Sequence, residues 1–230
     1  MIQTFLDDLL SVLKNPPGYF VTSVIIMSAI IVFSIVVGTK VSKMNPKDKP
    51  SKGLSLVISA IGGFNNLVKE VIGKHWRVIT PIVLSLAMYI FISNISGVTG
   101  ISTTPTKFSA ITFSLSIIAV TTIQMMGFIS KGWSHIKSIF EPVPFIAPLN
   151  IIGEITPLIS LALRLFGNIA SGSLIMFLIY KLSGWASLII APAFHLVFDI
   201  GFGLIQTIVF VLLTLILSST KIDENDLDYV

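Results

Sequence analysis

The sequence predicts an all-α integral membrane protein of about five transmembrane helices plus an interfacial helix, with the last two helices long, strongly tilted and forming a hairpin. Three observations predict it. Of the 230 residues 53% are hydrophobic and 11% charged, with a mean hydropathy of +0.93, against roughly 25% charge in an ordinary soluble domain. Several apolar runs reach the ~20 residues that a helix needs to cross a bilayer. The basic residues fall in short loops between those runs, where they fix orientation instead of forming a face for nucleic acid, which is not an expected partner.

Taken in order, residues 1–17 contain "FLDDLLSVLKNPPG" before the first long apolar run; they read as a short amphipathic segment outside the membrane, and a cleaved signal peptide is not expected. Residues 19–39 form the first span. The loop "KVSKMNPKDKPSKG" follows, with five lysines and the breakers Pro46 and Pro50. Residues 54–76 combine a central Gly-Gly and Asn-Asn with charges and a one-sided apolar pattern, which predicts a helix lying at the interface. Spans over 78–95 and 108–129 are joined by the turn-rich "SGVTGISTTPTK". Two longer stretches, 145–180 and 185–218, would each extend roughly 50 Å, beyond a 30 Å hydrocarbon core, so they must tilt, bend or break. The chain reads as one membrane domain over 1–230, without an internal repeat or low-complexity tract.

Lysine and arginine counts set the orientation. The loop 40–52 carries five, the stretch 69–77 three and the loop 131–141 two, whereas the other side carries only Lys14, Lys107 and Lys181. The first group is therefore expected in the cytoplasm, with the N-terminus outside and the acidic tail "KIDENDLDYV" inside. Cysteine is absent, which excludes thiol chemistry and thiolate-ligated zinc. His75, His135 and His195 are too widely separated to suggest a local metal site. Neither a phosphate-binding loop nor a hydrolase motif is present, so no cofactor is expected and the chemistry points to transport.

The candidate groups lie in the last third. A charge in hydrocarbon costs at least about 2.5 to 3.5 kcal/mol, so Glu154, Arg164 and Asp199 need water or partners. Ser160, Arg164, Asn168 and Ser171 recur at i, i+4, i+8 and i+11 and form one polar stripe, with Gly167, Ala170 and Gly172 permitting close approach of another helix. His195, Asp199 and Gln206, at i, i+4 and i+11, form a second stripe on one face, in which His195 and Asp199 can hydrogen-bond directly. Two such stripes on adjacent helices make a wet seam for a proton or small cation. His75 and His135, set among lysines, are expected at the surface. A secondary ion-coupled transporter binding its substrate at Arg164 and Asp199 is the alternative from another class, although such proteins commonly carry two related halves. A passive scaffold would leave the buried charges unexplained.

"PLISLALRLFGNIASG" followed by "HLVFDIGFGLIQTIVFVLLTLIL" resembles subunit a of the F-type ATP synthase, closely over the last 80 or so residues, and more loosely "SNISGVTGISTTPT" resembles that family's loop after an earlier span. The resemblance implies that Arg164 is the essential arginine facing a rotating ring of c subunits, that Gln206 lies opposite it, and that Glu154 is a glutamate found ten residues before the arginine in many bacterial members. Those members carry a glutamate nine residues after the arginine and a histidine seven before the glutamine; here Ser173 and Asp199 stand there. The carboxylate has in effect moved to the neighbouring helix, beside His195.

The implied path takes protons from outside past Ser173, His195 and Asp199 to the ring, and from the ring to the cytoplasm past Glu154. Arg164 separates the two half-channels, and Asn168 and Gln206 lie beside it. The implied partners are the c-ring proteolipids, peripheral-stalk b subunits, membrane lipid and the whole complex, and the implied location is a bacterial plasma membrane. The chain is not expected to be catalytic alone.

Overall fold

The computed structural model describes residues 16–44, 50–99, 104–139 and 147–227, without the side chain of Asp199. The expected amphipathic segment 1–17 falls almost wholly outside the described residues. Every regular element among the described residues is helical. Helix α1 (Gly18–Ser42) starts after an extended Pro17, and a proline without an N–H is tolerated at a helix start, where that donor has no intrahelical partner. It buries only Ser23, Ile26 and Ile30. The Ser23 hydroxyl meets the Tyr89 hydroxyl at 2.6 Å, and Tyr19 stacks on Phe108 with ring centroids 4.0 Å apart.

Helix α2 (Lys52–Ile72) buries Val68 and Ile72 while Asn66, Lys69 and Glu70 stay exposed, the division its one-sided pattern predicts. A 3-10 turn, Gly73–His75, leads into α3 (Trp76–Ile95). Helix α4 (Ser109–Lys131) and the short α5 (Ser134–Ile139) precede α6 (Ala147–Ser183), whose 37 residues make it about 55 Å long.

The chain reverses through a 3-10 turn at Gly184–Ala186, and the return limb is not one helix. It consists of α7 (Ser187–His195), a π turn (Leu196–Gly201) and α8 (Phe202–Ser219). Pro192 within α7 withholds the N–H that the carbonyl four residues back would receive. Ten residues after Pro192, Phe202 N–H bonds Val197 O, five residues back. A short α9 (Glu224–Leu227) closes the described chain.

Four helical runs are long and apolar enough to cross a membrane: Gly18–Ser42, Lys52–Ile95, Ser109–Lys131 and Ala147–Ser219. The second holds both α2 and α3, and the fourth holds both limbs of the hairpin. Two apolar clusters join them. Ile26, Ile30, Leu86, Ile90, Leu115, Leu161, Leu165 and Phe210 bring together α1, α3, α4, α6 and α8. Val68, Ile72, Ile79, Val83, Met126, Val211 and Leu215 bring α2 against α3, α4 and α8.

The buried hydroxyls of α8 are satisfied within their own helix, as a water-free setting demands, whereas Ser93 and Ser116 Oγ have no hydrogen-bond partner among the described residues. In α8, Thr207, Thr214 and Ser218 donate to the carbonyls of Gly203, Phe210 and Thr214 at 2.7 to 2.8 Å.

The turns that follow α2 and α6 each contain a left-handed glycine, φ +67° at Gly73 and +48° at Gly184, and they predict different outcomes for the same substitution. A Cβ on Gly184 would meet nothing within 4 Å, so Gly184→Ala costs only the left-handed penalty of about 1–2 kcal/mol. A Cβ on Gly73 would lie 2.3 Å from Asp226 O and 2.8 Å from Leu227 Cα. Gly73→Ala therefore lowers the thermal midpoint of the purified protein more than Gly184→Ala does, and limited proteolysis finds the C-terminal segment released only in Gly73→Ala.

Candidate functional site: the polar hairpin and its two ends

Two side-chain bonds tie α6 to its return limb. Asn168 Nδ2 donates to Gln206 Oε1, and the Tyr180 hydroxyl meets His195 Nε2 at 2.9 Å. From Asn168 to Tyr180 the chain advances one residue more than from His195 to Gln206, so the limbs run antiparallel in near-constant register. Gln206 is 2% exposed, and its Nε2 has no hydrogen-bond partner among the described residues.

Arg164 sits one turn before Asn168 and is half-buried. Its neighbours divide sharply: Leu161 and Leu165 are buried in the first apolar cluster, whereas Leu163 and Phe166 are exposed. Arg164 thus occupies the edge where the core gives way to an open apolar face. Among the described residues it enters no ion pair.

Ser173 donates to the Ile169 carbonyl of its own helix at 2.8 Å and, with Asn94, Lys107, Asn168 and Gln206, lines one cleft. Asn94 donates to Gly203 O at 3.4 Å and accepts from the Thr106 hydroxyl at 2.9 Å. The backbone of Asp199 lies in the π turn; its side chain lies outside the described residues. A regular helix would have set His195, Asp199 and Gln206 on one face. The wider π winding turns less per residue, so that spacing argument does not carry through 196–201.

The opposite end of the bundle holds a second group. Glu154 accepts from Lys221 through Oε1 in an ion pair and from Gln124 Nε2 through Oε2 at 2.6 Å. Gln124 Oε1 in turn accepts from His135 Nε2 at 2.9 Å. The surface placement expected for His135 is overturned: it is 3% exposed and packs against Gly127, where a Cβ would lie 2.6 Å from its ring.

His75 is likewise engaged. Its Nε2 is 3.1 Å from Asp226 Oδ2, an oxygen that also accepts from the Ser130 hydroxyl at 2.9 Å, with Lys74 Nζ at 3.4 Å from the other oxygen. Neighbouring lysines indicated an aqueous setting but not these partners. Tyr180, Gln124 and Lys221 escaped sequence reasoning as well. Gln124 carried a usable signal as an amide within an apolar span, whereas Tyr180 and Lys221 find their partners only across the fold.

Burial, and then the charge of Lys221, holds the His135 imidazole below its ordinary range. Hydrogen bonds from Ser130 and His75 hold the Asp226 carboxyl below its own. For a group whose folded pKa is depressed, the contribution is present above the unfolded value and lost as pH falls through the folded one. The His135 contribution is therefore complete above about pH 6.5 and disappears on acidification. Thermal midpoints measured from pH 8 to pH 5 show wild type falling faster than His135→Gln.

These features define a helical integral membrane protein whose intramembrane polar groups are concentrated in one hairpin and at its ends. The family model of the ATP synthase A chain matches residues 20–218, and the chain belongs to that family. Among relatives, the ATP synthase subunit a of Mycoplasmoides gallisepticum is 30% identical over 227 residues, covering 87% of this chain and 76% of its own. That of Legionella pneumophila strain Philadelphia 1 is 32% identical over 161 residues, 70% of this chain and 68% of its own. That of Geotalea daltonii is 28% identical over 183 residues, 78% of each. Membership makes the chain a membrane-sector subunit of an ATP synthase, with no catalytic activity alone.

Proposed function

We propose that this subunit is the stator that conducts protons to and from a ring of c subunits through two half-channels, anchored by peripheral-stalk b subunits in a bacterial plasma membrane. The observation that carries the reading is the position of Arg164. It stands ten residues after Glu154 and nine before Ser173 on one helix, about 15 Å and about 13 Å along the axis, with the Asn168–Gln206 bond one turn away.

The cytoplasmic side is the Glu154 end, the N-terminus is outside and the C-terminus inside, with α2 along the cytoplasmic interface. The basic ends of α1, α4 and α8, at Lys40, Lys131 and Lys221, support that orientation. A proton enters from outside through the cleft lined by Ser173 and Asn168, passes His195 and Asp199, and neutralises a ring carboxylate, which then faces lipid. After nearly a full rotation the ring carboxylate releases its proton toward Glu154.

Arg164 attracts the charged form of the ring carboxylate and, being protonated at any physiological pH, does not relay a proton itself. It thereby keeps the two water-filled ends apart. Gln206, buried and held by Asn168 through its oxygen, fixes the return limb one turn from Arg164. Each proton crossing the membrane supplies about 2.3 kcal/mol per 100 mV, so several must pass for each ATP formed elsewhere in the complex.

Inverted membrane vesicles carrying the whole complex test the reading. Arg164→Ala abolishes ATP-driven proton pumping with the complex assembled and ATP hydrolysis retained. Arg164→Lys fails as well, because an ammonium replaces the fixed guanidinium fork and can lose its proton. Removing the soluble sector from Arg164→Ala vesicles increases passive proton leak. Coupled pumping at the wild-type rate in Arg164→Ala overturns the assignment.

A further inference from the structure

The ion pair at Glu154 draws its cation from a segment that belongs to neither limb of the hairpin. Lys221 lies two residues beyond the end of α8, and its position is fixed from both sides. Its own N–H bonds Ser218 O at 3.1 Å. Immediately after it, Ile222 is 3% exposed within the second apolar cluster, and Asp223 N–H bonds the Ser130 hydroxyl at 2.9 Å. Further on, Asp226 is held by Ser130, His75 and Lys74. A terminal segment anchored at three successive points delivers one ammonium to one carboxylate 67 residues away in sequence.

The carboxylate it reaches is fixed on its other oxygen by Gln124, itself held by His135. Among the described residues, the charged and titratable groups facing Glu154 are Lys221 from the C-terminal segment and His135 from α5, with Lys131 of α4 acting on His135. The two side chains are 25% and 23% exposed, so the pair lies at the surface of the bundle. A bare surface pair of this kind contributes little to stability. Its geometry is nonetheless over-determined: both carboxylate oxygens are engaged, and the lysine backbone is tethered on each side.

We propose that Lys221 is a positioning residue for proton exchange at the cytoplasmic side, holding the Glu154 carboxylate in place and supplying its counter-charge, and that docking of residues 222–227 serves to put it there. This rests on Glu154 belonging to the cytoplasmic half-channel. Lys221 acts only through Glu154. Its contribution therefore depends on the glutamate being present.

The test uses the whole complex in inverted vesicles, reading ATP-driven proton pumping together with ATP hydrolysis and the amount of assembled complex. Lys221→Ala lowers the pumping rate by about tenfold at unchanged assembly, a loss within the range of coupled pairs. Lys221→Arg restores pumping to within about twofold, because the cation and its reach are kept. In a Glu154→Gln background, Lys221→Ala produces no further loss. Full pumping by Lys221→Ala, failure of Lys221→Arg to rescue, or an equal additional loss in the Glu154→Gln background each overturn the inference. If Arg164→Ala abolishes pumping while Lys221→Ala leaves it intact, only this inference falls. If Arg164→Ala pumps normally, the two-half-channel reading falls first.

Discussion

Within a bilayer, an amide or imidazole that leaves its partner finds no water to replace it, so a side-chain bond between helices fixes their relative height. Asn168 to Gln206 acts on the hairpin in this way, and Tyr180 to His195 adds a second tie nearer its turn. Each such bond contributes only about 0.6 kcal/mol on average. Placed about 18 Å apart along α6, however, they leave the return limb no freedom to slide without losing both. The half-buried edge occupied by Arg164 and the cleft beside Ser173 inherit their geometry from that register.

The rest of the bundle holds this hairpin from one side. Leu161, Leu165 and Phe210 lie in the same apolar cluster as residues of α1, α3 and α4, so the inner faces of both limbs are covered. Their outer faces remain apolar and open, with Leu163, Phe166, Leu174, Leu204, Ile205 and Ile208 among the exposed residues. At the Glu154 end, polar contacts take over from apolar ones. There α4, α5 and the C-terminal segment converge through Gln124, His135 and Lys221.

Much of this organisation was legible in composition. Apolar runs bounded by lysines and prolines mark where helices lie, and the length of the last two stretches alone requires that they tilt, bend or break. The site was legible wherever a polar residue stood out against apolar neighbours, as Arg164, Asn168 and Gln206 do. What escaped was of two kinds. The π turn escaped because periodicity arguments presume regular winding, and Pro192 marks only the vicinity of the irregularity. The partners of His75, His135 and Glu154 escaped because they come from distant segments, and a lysine at a helix end reads first as a mark of orientation.

Helix α1 shows how different the requirements on one chain can be. Its contact with the remainder is a narrow strip at Ser23, Ile26 and Ile30, one tyrosine hydroxyl and one stacked ring. Most of its 25 residues lie exposed on this chain. Any aliphatic side chain satisfies a hydrocarbon solvent about equally well, so the three inward positions are bound to their neighbours while the rest can drift among Ile, Val, Leu, Phe and Met. At about 37 Å the helix also exceeds the hydrocarbon layer, so bilayer thickness, more than any side chain of this protein, governs how far it leans.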